Sequence, residues 1–117
     1  MKDFRKLKVW ILAHDLTKRI YKITDGFPKA EIYGLISQLR RASVSIATNI
    51  VEGSSRGSDA DFSRFVQIAI GSASEVEYLL LLSKDLSLIS NPDYEQLDFD
   101  VNTLKRMLIT LLKKLKA

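Results

Sequence analysis

Leu97, Val101, Leu104, Leu108, Leu111 and Leu115 recur at intervals of 4, 3, 4, 3 and 4 residues. That rhythm places six apolar side chains on one face of a helix, and no alternating, strand-like pattern competes with it. The rhythm appears three more times. Val9, Ala13, Leu16, Ile20, Ile23 and Phe27 mark a first helix, and Ile32, Leu35, Leu39, Ala42 and Ile46 a second. Phe62, Phe65, Ala69, Ser72, Val76 and Leu80 mark a third. Apolar stripes of this kind are stable when they pack on one another. The expected fold is therefore all-α: an antiparallel up-down-up-down four-helix bundle, with residues 1–117 as a single domain.

The breaks between stripes carry turn chemistry. Gly26 is expected to end the first helix in a left-handed conformation, with Pro28 blocking its continuation. The second helix is expected over about residues 29–52. Ser58, with Asp61 three residues on, reads as the N-cap of a third helix that reaches about residue 89. Asn91, followed by Pro92, reads as the N-cap of the fourth. Small residues at Ala69, Gly71, Ser72, Ala73 and Ser74 allow a neighbouring helix to approach closely, and Gly71 offers a place to bend.

Several chemistries are excluded by residue content. The chain has no cysteine, so disulfides and thiolate chemistry are absent. The longest apolar run near the start, residues 9–13, is too short for a signal core or a membrane span, so a cytoplasmic protein with no membrane partner is expected. His14 is the single histidine, and Ile11 stands three residues before it. A di-iron bundle needs two Glu-x-x-His pairs, so that site is excluded. The loop over residues 53–58 lacks the lysine of a P-loop. The chain reads as a non-enzyme with no cofactor and no metal. Trp10 and Tyr33 read as packing residues rather than base-stacking platforms.

Charge is distributed unevenly. Residues 1–57 carry eleven basic and five acidic side chains, whereas residues 58–91 carry two and five. Basic side chains fall on the outside of the first helix (Lys8, Lys18, Arg19, Lys22), near the second (Arg40, Arg56) and at the C-terminal end (Lys113, Lys114, Lys116). Of these, Lys18, Arg19, Lys22, Arg40 and Arg56 are the candidate nucleic-acid contacts. Gln38, Arg41, Ser45, Asn49 and Glu52 form one polar stripe on the second helix. It reads either as a solvated face or as a buried network with Glu75, in which Arg41 is the inward member and Arg40 and Arg56 reach solvent. A ligand site is a third reading.

Leu79, Leu80, Leu81 and Leu82 are apolar all round their helix, and Met107, Ile109 and Leu112 lie outside the main stripe of the fourth. A broad core stripe would account for them. Burial between copies of the chain accounts for them better, with Leu79 and Leu82 in the interface.

The run QLRRASVSIATNIVEGSSRG (residues 38–57), then FVQIAIGSASEVEYLL (65–80), resembles the bacterial four-helix-bundle family named after reading frames in the intervening sequences of large-subunit ribosomal RNA genes. The opening VWILAHDLTKRIYKITDGFPKAEIYGL (9–35) is similar too. The resemblance implies a cytoplasmic homopentamer without known catalysis. It extends, more distantly, to the accessory variability determinant protein of diversity-generating retroelements, a basic pentameric barrel that binds nucleic acid. The expectation is a homo-oligomeric adaptor whose partners are itself and RNA or DNA. The alternative is a purely protein-binding or structural module.

Overall fold

The computed structural model describes residues 3–117. Its four helices are α1 (Lys8–Thr24), α2 (Leu35–Ser54), α3 (Asp59–Asp85) and α4 (Asn91–Lys116). A 3-10 turn at Phe4–Lys6 precedes α1, and another at Lys29–Glu31 precedes α2. The described residues are 83% helical, with no strand among them. Each helix packs on the next in sequence, and α4 closes against α1. The result is the expected up-down-up-down bundle, 43 Å long and about 20 Å across.

The stripes meet along the bundle axis. Leu16, Ile20, Leu39, Ile46, Val66, Val76, Leu80, Val101, Leu104 and Leu108 are shut off from solvent. By length and hydropathy α3 is apolar enough to cross a membrane. Its buried residues, Phe62, Val66, Ala69, Ala73, Val76 and Leu80 among them, are part of this shared core. Burying a side chain of this size stabilises the fold by about 1.5–3 kcal/mol.

Four local expectations need correction. Gly26 is not left-handed. Instead α1 tightens into a 3-10 exit, with Gly26 N–H donating to Ile23 O and Phe27 N–H to Thr24 O. The second helix begins at Leu35, not near residue 29, because Gly34 has a non-helical backbone (φ −108°, ψ −114°). The Glu31 carboxylate then accepts from Leu35 N–H at 3.1 Å and so caps the new helix. The third helix stops at Asp85 rather than near 89. Ser87 turns left-handed (φ 60°), Ser87 N–H donates to Lys84 O and Leu88 N–H to Ser83 O, which closes a Schellman motif. The N-cap of α4 is Ser90, whose hydroxyl accepts from Asp93 N–H, so Asn91 already lies inside the helix. The cap at Ser58 is as expected, accepting from Asp61 N–H at 3.1 Å.

The leucine run is also placed differently. Leu79 and Leu80 are core residues, Leu82 is half-buried, and Leu81 alone of the four is exposed. Several large apolar side chains outside the run are more exposed than Leu81: Tyr33 is 93% exposed, Phe99 64% and Tyr78 59%. Tyr33 is therefore not a packing residue within one chain.

Candidate nucleic-acid interface

The sequence-derived basic residues divide by what holds them. Arg19 lies between Asp15 (3.0 Å from Nε) and Asp100 (2.8 Å from a terminal nitrogen). The Asp15 approach is electrostatic only, since the Nε–H does not point at the carboxylate. Arg40 donates from Nε to Thr24 Oγ1 at 2.9 Å, and from its terminal nitrogen to Tyr21 O and Asp25 Oδ1. Its guanidinium also sits 4.6 Å from the Tyr21 ring centre. Arg19 thus ties α1 to α4, and Arg40 ties α1 to α2. Arg56 is exposed, 3.8 Å from Glu52 and stacked over Phe65. Lys18 and Lys22 are exposed on the outer face of α1, without an ion pair among the described residues.

The polar stripe of α2 is divided in the same way. Ser45 Oγ and Ser72 Oγ share a 2.8 Å hydrogen bond, and Asn49 Nδ2 donates to Ser45. Gln38, Arg41, Glu52 and Glu75 are all exposed. No Arg41–Glu75 pair forms, so a buried network containing both is absent from the single chain. The expected orientation of the adjacent arginines is reversed: Arg40 is the engaged one and Arg41 the free one. Successive helix residues point about 100° apart, and here the Arg40 direction is the one that faces α1.

A basic groove lies at one end of the bundle, here called the foot, where α1 starts and α4 ends. It encloses about 510 Å³. Lys8 from α1 and Arg106 and Lys114 from α4 stand around it, and no acidic side chain lines it. None of the three is in an ion pair among the described residues; Arg106 donates to Thr103 Oγ1. The floor is half-buried Leu7, Met107 and Leu111. Leu7 is the N-cap of α1 and supplies no side-chain cap, and no acceptor for the first amides of α1 occurs among the described residues. Lys113 and Lys116 add exposed charge on the same last turns. Lys8 and Lys114 appear in the sequence as members of separate clusters 106 positions apart, and Arg106 stood in neither. The antiparallel topology brings them together.

The profile of the 23S rRNA-intervening sequence protein family matches residues 5–110. The chain belongs to that family. Similar to it in structure is a protein of unknown function from the S23 ribosomal protein family of Bacteroides thetaiotaomicron VPI-5482, solved at 1.70 Å resolution. The two share 27% identity with a TM-score of 0.83, over 90% of this chain and 95% of that one. No curated protein matches. Neither the family nor that relative indicates a catalytic activity.

Several residues quoted for the resemblance hold this intervening-sequence protein together. Arg40 clamps α1, and Ser45 and Asn49 meet α3. At Gly53 a side chain would meet Phe62 Cδ1 and Phe65 Cβ at 2.8 Å each. His14 stacks flat on Trp10, with centroids 4.7 Å apart, and Phe4 meets the same indole edge-on. No group of three or more metal-ligating side chains occurs among the described residues.

Proposed function

We propose that this protein is a non-catalytic, homo-oligomeric helical bundle that binds nucleic acid. The observation that carries the reading is the foot of the bundle, where Lys8, Arg106 and Lys114 border one groove that no acidic side chain lines. Cations held close together on a fixed scaffold release counterions from a phosphate backbone, and their affinity falls steeply as salt rises. Exposed Tyr33, Tyr78 and Phe99 support self-association, for which the family resemblance implies five copies. Repetition of the foot around a ring multiplies a weak site through effective concentration. A cytoplasmic location fits a nucleic-acid partner.

Two measurements test the reading. Light scattering is expected to give a mass several times the 13.3 kDa of one chain. Titration of labelled RNA and DNA at low salt is expected to show binding that weakens at physiological salt. Absence of binding at low salt overturns the nucleic-acid reading in favour of a protein-binding module. The groove of Tyr21, Ile32, Ile36 and Val44 beside the free Arg41 favours that alternative.

A further inference from the structure

We infer that the foot groove takes a single strand of nucleic acid rather than a duplex; this rests on the nucleic-acid reading above and narrows it. The rim and the floor of the groove make different demands. Lys8, Arg106 and Lys114 suit phosphates in either form of nucleic acid. The floor of Leu7, Met107 and Leu111 is half-buried apolar surface, open to solvent. A duplex presents sugar and phosphate outward and keeps its base faces stacked inside, so it would leave that floor wet. A single strand offers free base faces, which cover apolar surface while its phosphates reach the cations.

The dimensions agree. Arg106 and Lys114 are eight residues apart on α4, about 12 Å at 1.5 Å per residue. That spacing lets the two cations hold different phosphates of one strand. Lys8 stands on the α1 wall, in the first turn of that helix, where the helix end favours negative charge. Thr110 lies between the two α4 cations and donates its hydroxyl proton to Arg106 O, leaving its oxygen free to accept. No Asn, Gln, Asp or Glu lines the groove, so base edges go largely unread and the site tolerates different sequences.

The experiment is fluorescence anisotropy with the full chain, a labelled twelve-nucleotide single strand and the duplex of the same sequence, over a salt series. The single strand is expected to bind about tenfold or more tightly than the duplex. Lys8→Ala with Lys114→Ala is expected to lower the slope of log affinity against log salt by about two, one per phosphate contact. Met107→Ser is expected to weaken the single strand several-fold while leaving that slope unchanged. Thr110→Glu puts a carboxylate in the groove from an exposed helix position and is expected to abolish binding, whereas Thr110→Gln retains it. Circular dichroism of each variant checks that the helices persist. Equal or tighter duplex binding, or indifference to Met107→Ser, overturns the inference while the nucleic-acid reading stands. Binding that survives Thr110→Glu but is lost in Lys18→Glu with Lys22→Glu moves the contact to the outer face of α1 and also overturns it. If neither form binds at low salt, the broader reading fails as well.

Discussion

Ser45 of α2 and Ser72 of α3 share a 2.8 Å hydrogen bond across the seam between their helices. Two small side chains let the backbones come close, and one hydroxyl donates to the other at a part-buried position. Replacing either by alanine is expected to cost about 1 kcal/mol. The double change is expected to cost less than the sum, because the second partner is no longer left alone. A urea double-mutant cycle reads the coupling; strictly additive effects would show that the two hydroxyls act independently.

Two backbone positions have opposite expectations. Gly53→Ala places a methyl against Phe62 and Phe65, and the Phe65 Cβ cannot swing away. It is expected to cost about 1–3 kcal/mol through overpacking. Ser87 holds the left-handed C′ position that glycine occupies without strain. Ser87→Gly is expected to stabilise the protein by roughly 0.5–1 kcal/mol, less than the full left-handed cost because glycine also loosens the unfolded chain. Thermal unfolding of the two variants should move in opposite directions.

The Lys105 ammonium, which donates to Glu77 Oε1 at 2.8 Å, holds the Glu77 carboxyl below its ordinary value of 4.5, against the opposing effect of burial. The native state therefore takes up this proton less readily than the unfolded chain. The stabilisation is present above pH 4.5 and is lost as pH falls through the lowered native value. The pair is partly open to solvent. Glu77→Gln is accordingly expected to cost only a few tenths to about 1 kcal/mol at pH 7. The gap between variant and parent should narrow below pH 4.5, as pH falls towards and through the lowered native value; an equal gap at pH 7 and pH 3 would falsify this account.

Leu79→Glu would bury a carboxylate in the core and is expected to unfold the chain. Tyr78→Glu and Phe99→Glu alter exposed side chains that lie off the core stripes of α3 and α4. These two are expected to reduce the mass seen by light scattering while helical content is retained. A full-sized oligomer from both variants would remove these side chains from the interface.

The repeating stripes and the Ser58 cap were legible because each depends on residues within one or two helical turns. The start of α2 was not, since nothing in the Lys29–Glu31 segment announces that Gly34 breaks the helix and that Glu31 reaches forward to restart it. Ser90 and Asn91 are both good caps, and sequence alone does not choose between neighbours. Asp100, the α4 partner of Arg19, lies 81 positions away, and the partners of Arg40 at the end of α1 lie 15 to 19 positions away. Which of Arg40 and Arg41 turns inward depends on how α2 is rotated against α1, a tertiary property. The foot groove was hidden for the same reason: its walls come from opposite ends of the chain.

Three of the four helix seams join consecutive helices, and only the α1–α4 seam is closed by distant segments. Local pairing of that kind favours folding in microseconds to milliseconds. The closure entropy of the longest loop falls on this last and sparsest seam. The foot groove spans that seam, so it is expected to form late in folding. A local opening there would dissolve the groove while α2, α3 and the core they share stay formed. Amide hydrogens at the start of α1 should then exchange faster than those in the middle of α3, and ligand in the groove should slow them.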